Sequence, residues 1–135
     1  MEKPKISDKL TNFMFDTRDL VIANFIKDGV RPPTLFTDDG KVHRFVCEDS
    51  VKLVEKAREF ISSLSKDVQM YVITYEGYAT VDGVKYDALM LEVGERGGGE
   101  GAVFGQRYQP KKFLKKFKLI GNTGYFGANK NLFEN

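Results

Sequence analysis

The side chains of this chain best suited to chemistry gather between positions 70 and 108, in MYVITYEGYATVDGVKYDALMLEVGERGGGEGAVFGQRY. Glu76, Asp87, Glu92, Glu95 and Glu100 are the carboxylates that could serve as acid and base. Such catalysis needs two of them at a defined separation in unlike environments. If Asp82-Gly83 forms a two-residue type I′ turn, Val81 lies opposite Val84, and the register pairs Ala79 with Tyr86, Tyr75 with Met90 and Ile73 with Glu92. Glu76 and Glu92 then fall on opposite faces, and Glu76 and Asp87 are displaced along the ladder. No dyad results. Glu92 interrupts the apolar run Leu89–Val93, so as a buried carboxylate it requires a cation. Arg107 or Arg96 is the expected partner, and a structural pair is favoured over a functional one.

Other chemistries fail on spacing. Gly97-Gly98-Gly99-Glu100-Gly101-Ala102 fits a loose dinucleotide fingerprint, but a strand-like run follows where a helix N-terminus is needed. His43 and Cys47 share a strand face, yet four strand residues separate their Cα atoms by about 13 Å, too far for a nucleophile pair. One histidine and one cysteine leave a zinc site short of ligands. No metal or cofactor is expected, and the reading leans away from an enzyme. A lone cysteine also excludes an internal disulfide and fits a reducing, cytoplasmic compartment.

Three further groups could bind. Gln106-Arg107-Tyr108-Gln109 would line a polar pocket. A ligand cleft between loop 94–101 and the sheet would use Glu92, Arg107, Tyr75 and Arg96. Lys111, Lys112, Lys115, Lys116 and Lys118, interleaved with Phe113 and Phe117, have the composition of a nucleic-acid grip. Read as a helical turn, however, this run turns both phenylalanines to the core and leaves the lysines an ordinary solvated face. A net charge of +2 gives nucleic-acid binding no support by itself.

These residues need a scaffold, and the pattern predicts an α+β domain spanning all 135 residues: one bent antiparallel sheet of about five or six hairpin-connected strands, packed against two helices. Residues 1–6 read as a loose leader and 121–135 as an irregular tail. Ser7 caps a first helix that carries Leu10, Phe13, Met14, Val21, Phe25 and Ile26, and Gly29 ends it. Asp39-Gly40 marks a hairpin within 34–47. Asp49 or Ser50 caps a second helix with Val51, Val54, Ala57, Phe60 or Ile61, and Leu64 on its apolar side. Strand 102–109 is expected to pair with 86–93, 110–117 to make a helical turn, and 119–120 a short last strand.

Alternation puts Tyr71, Ile73, Tyr75, Ala79, Tyr86, Ala88, Met90 and Glu92 on one side of the sheet. Val72, Thr74, Glu76, Tyr78, Asp87, Leu89, Leu91 and Val93 take the other, the side expected to meet the helices. The exposed surface would then carry Tyr71, Tyr75, Tyr86 and Met90, a partner surface for self-association or another protein. A non-catalytic association module is therefore the leading expectation. No membrane segment is expected.

Overall fold

The computed structural model describes residues 5–28, 32–45, 49–112 and 114–134. Gly29, Cys47 and Phe113 lie outside these, as do the side chains of Phe25 and Ile26.

The sheet is organised by the reversal at Asp82 (φ 51°) and Gly83 (φ 78°). Two successive positive φ values define a type I′ turn, whose twist matches the strands it joins. It connects β3 (Met70–Val81) to β4 (Val84–Glu95). The expected register holds along the full length: Val81 opposite Val84, Ala79 opposite Tyr86, Tyr75 opposite Met90, Ile73 opposite Glu92. Around this hairpin lie β1 (Thr34–Thr37), β2 (Val42–Arg44), β5 (Gly101–Gln109) and β6 (Lys118–Asn129). The six strands are antiparallel in the order β2-β1-β3-β4-β5-β6. With α1 (Asp8–Asp28) and α2 (Ser50–Phe60), the fold is α+β, as the pattern predicted.

Local chemistry sets the helix starts. The Ser7 hydroxyl accepts from the Leu10 amide at 3.1 Å, and the Asp49 carboxylate from the Val51 amide at 2.9 Å. Ile6, assigned to a loose leader, packs against the core. On α2 the buried stripe is Leu53 and Ala57, continued by Ile61 just past the helix end, whereas Val51 is 67% exposed. Ala57 and Ile61 of the expected set pack on Leu35, Tyr71 and Ile73 of the sheet, and Leu53, not Val51, continues their side of the helix at i, i+4 spacing.

The helices occupy opposite sides, not the same one. Leu10, Met14 and Val21 of α1 pack on Val72, Leu89, Leu91, Val93, Ala102, Phe104 and Tyr108. α2 covers the tyrosine side at β1 and β3. Residues 88–94 of β4 are all buried: α1 covers Leu89, Leu91 and Val93 on one side, and on the other Arg58 of α2 reaches Glu92.

The last strand corrects the tail. β6 runs twelve residues, through glycines and asparagines of low strand propensity. Extra residues are absorbed at register shifts opposite Val103/Phe104 and Gly105/Arg107. At the second, Gly121 takes φ +66°, and the buried Gln106 amide donates to the carbonyls of Ile120 (3.4 Å) and Gly121 (3.2 Å). Gly121, which resembles turn punctuation, lies in the second bulge, while Gly124 and Gly127 pair with Gly105 and Val103 in the ladder. Among the described residues of 110–117 the expected helical turn is also absent. Lys112 and Lys115 exchange backbone bonds of 3.0 and 2.9 Å across a tight reversal, and Phe117 stacks on Tyr108 with centroids 5.5 Å apart.

Gly94 is required by a close approach. A Cβ there would lie 2.4 Å from the ring of Tyr71, its cross-strand neighbour. Gly94→Ala is expected to destabilise the protein by about 1–3 kcal/mol through overpacking. Urea unfolding measures this, and an unchanged midpoint would contradict the ring placement.

Candidate functional site

Glu92 lies on β4, 2% exposed, and its partner is neither Arg107 nor Arg96. Arg58 of α2 reaches it with Nε at 3.0 Å from Oε1 and Nη2 on Oε2. The Tyr75 hydroxyl donates to Oε2, and Asn129 Nδ2 of β6 donates to Oε1 at 3.3 Å. Both oxygens thus accept two hydrogen bonds. The arrangement fastens α2 and β6 to the sheet centre, and it fits a structural role. Arg58 was missed because it reads as part of the polar side of α2. The available signal was that a carboxylate buried under a helix needs its cation from that helix.

The remaining expected residues do not converge on Glu92. Arg107 stacks over the Tyr86 ring, 4.8 Å from its centroid. Arg96 donates to the Val68 carbonyl at 3.0 Å and the Ser65 carbonyl at 3.2 Å, with its guanidinium 4.3 Å from the Phe133 ring. The expected partner surface is largely interior in one chain. Tyr71 is 1% exposed and Met90 9%, while Tyr75 and Tyr86 are half-buried. Tyr71 accepts from the Leu132 amide at 3.1 Å under the C-terminal turn. α2 and that turn supply the cover the alternation alone could not show. His43 contacts the Thr37 hydroxyl at 3.1 Å and the Phe60 ring at 5.1 Å.

On the α1 side, beyond the helix, Glu76, Gly77, Tyr78, Asp87 and Tyr108 line a small cavity of about 130 Å³. The Tyr108 hydroxyl donates to Glu76 Oε1 at 2.6 Å. Burial raises the Tyr108 phenol above its ordinary range, and Glu76 adds to the shift. Burial likewise raises Tyr75, with Glu92 adding, and pushes Tyr71 up to about 12. All three hold their protons longer in the folded chain than the ordinary value of about 10. Their contribution is therefore complete below about pH 10 and is lost as pH rises past it, because the unfolded chain ionises first. The melting temperature is expected to fall steeply above about pH 10, with tyrosinate absorbance rising in step with unfolding. Six tyrosines titrating smoothly in a chain that stays folded would contradict this.

The third group is at the β5–β6 reversal. Lys111, Lys112, Lys115, Lys116 and Lys118 are all exposed, and Leu114 between them is 91% exposed at φ +70°. From Gly101 to Phe133 the chain carries seven of its 21 basic residues and none of its 19 acidic ones. On the tyrosine side of β3–β6 the one carboxylate is Glu92, neutralised by Arg58, while Glu76, Asp87 and Glu95 point to the other side. The charge of the molecule is segregated rather than balanced.

No known relative marks a site. No protein-family model, no curated protein and no solved structure matches this chain. Among the described residues, no group of three or more His, Cys, Asp or Glu is placed to hold a metal, and no helix is long and apolar enough to cross a membrane.

Proposed function

We propose that this chain is a non-catalytic binding module that engages a polyanion through the β5–β6 hairpin. One observation carries the reading: a hairpin with six positive and no negative side chains, five of them lysines exposed around its turn. At physiological ionic strength the Debye length is about 8 Å, so a ligand responds to this local charge far more than to the net +2.

Two features of the reversal disfavour a purely structural account. Lys112 and Lys115 face each other across the backbone bridge, where like charges repel. Leu114 adopts a left-handed conformation that side chains with a Cβ enter only at a cost. Stability alone would favour an opposite-charge pair and a glycine. The burial of Tyr71 and Met90 removes the observation that pointed to self-association on that surface.

The test is retention on heparin with affinity measured across a salt series. Binding that weakens steeply and linearly in log affinity against log salt supports the reading. Elution at the salt of a protein of equal net charge but dispersed lysines would overturn it.

A further inference from the structure

We propose that the polyanion is single-stranded nucleic acid, laid across the helix-free half of the tyrosine side of the sheet, with Phe126 as a base-stacking platform. This rests on the polyanion reading above and adds the ligand class and the surface.

The surface begins where α2 ends. Past Glu92, the floor is the buried trio Ala79, Ala88 and Met90, to whose cluster no helix among the described residues belongs, and the groups a ligand can reach above it are Phe126 and the half-buried Tyr86 and Arg107. Gly105 keeps the floor low. A Cβ there would lie 2.6 Å from the Phe126 ring, so the ring lies across the strand at that point. The register shift opposite Val103/Phe104 makes Phe126 the extra residue of β6, and it remains 47% exposed. This is the geometry that one base needs: an aromatic ring lying along a sheet and open to solvent.

Beside it, Arg107 lies over Tyr86, and a Cβ on Gly121 would come within 2.7 Å of its Nη2. A planar cation held on an aromatic ring gives a second stacking element and a phosphate contact. Arg107 and Lys118 share this side by register. Gly105 and Gln109 are four residues apart on β5, about 13 Å, so a strand crossing the platform continues directly onto the lysine turn.

Charge and shape choose among polyanions. A duplex hides its bases and offers phosphates, for which Phe126 is irrelevant. An anionic membrane would meet the turn and Leu114, leaving the platform about 13 Å behind the contact. A single strand uses both parts.

The experiment is anisotropy with a labelled oligo-dT, with a duplex of equal length, and sedimentation with vesicles containing phosphatidylserine, alongside heparin elution. Oligo-dT is expected to bind at least about tenfold tighter than the duplex. Phe126→Ala is expected to weaken oligo-dT binding by about 5- to 150-fold, the range of one base–aromatic stack, and to leave heparin elution unchanged. Phe126→Tyr keeps the ring and is expected to retain binding, which separates stacking from misfolding. Equal affinity for duplex and single strand, binding to vesicles alone, or a Phe126→Ala protein binding oligo-dT like wild type would each overturn this inference while leaving the polyanion reading intact if heparin retention persists. A dimer by light scattering that Phe126→Ala dissolves would also overturn it, by assigning the surface to a second copy. Loss of heparin retention in the wild-type protein would instead refute the reading beneath it.

Discussion

Replacing Lys111, Lys112, Lys115 and Lys116 together by glutamate is expected to release the protein from heparin at the lowest salt and to cut polyanion affinity by about a hundredfold or more. A lysine near an anionic surface contributes on the order of 1 kcal/mol, so four of them, reversed rather than removed, dominate any binding the hairpin supports. The salt slope is expected to flatten by roughly 3, since each phosphate contact on a single strand contributes about 0.7. The fold should be spared, because all four side chains are exposed. The opposed pair Lys112 and Lys115 becomes another like-charge pair, so local repulsion is unchanged in kind. Reversal of the exposed Lys52 and Lys66, away from the hairpin, is the matched control and is expected to change affinity little. A quadruple variant that elutes with the wild type would sink the functional reading.

The largest effect on stability is expected at Arg58. Its removal in Arg58→Ala strands a carboxylate that is 2% exposed, and breaking a buried pair from one side costs about 3–5 kcal/mol. Glu92→Gln should cost less. The amide still accepts from Tyr75, and Arg58, with its side chain 39% exposed, can turn to water. The double variant Arg58→Met with Glu92→Met is expected to recover much of the loss, since apolar residues of similar volume often replace a buried pair without penalty. Urea unfolding of the three variants resolves the ordering. A loss for Arg58→Ala near the surface-pair scale of about 0–1 kcal/mol would show that the contact does not behave as a buried pair. Because Glu92 is spent on its partners, Glu92→Gln should leave heparin elution unchanged.

The central hairpin was legible because two independent signals agree there. Asp82-Gly83 suits a turn with two positive φ values, and the alternation on either side fits only one register. Likewise Ser7 and Asp49 announce their helices through the amides they cap. What failed was relation across distance. Glu92 and Arg58 are 34 positions apart on a strand and a helix, and no local period links them. Without that link, the alternation points the helices to the more aliphatic side and leaves the tyrosine side uncovered. The β6 strand was illegible for a different reason: pairing with β5 overrides the weak propensities of Gly121, Asn122, Gly124 and Gly127, and bulges hide its alternation. Phe126 was therefore lost in an expected tail. The lysine run was visible as composition, but the spacing of Phe113 and Phe117 fits a helical turn as well as a reversal, so its mounting was not.

The covering of β4 from both sides ties together parts of the chain that are remote in sequence. The opening helix packs on Leu89, Leu91 and Val93 on one side, while on the other Arg58 from the middle helix and Asn129 from the last strand close on Glu92. The interior of this protein is therefore a joint product of its beginning, middle and end. Its slowest-exchanging hydrogens should report opening of the whole molecule rather than of any single segment.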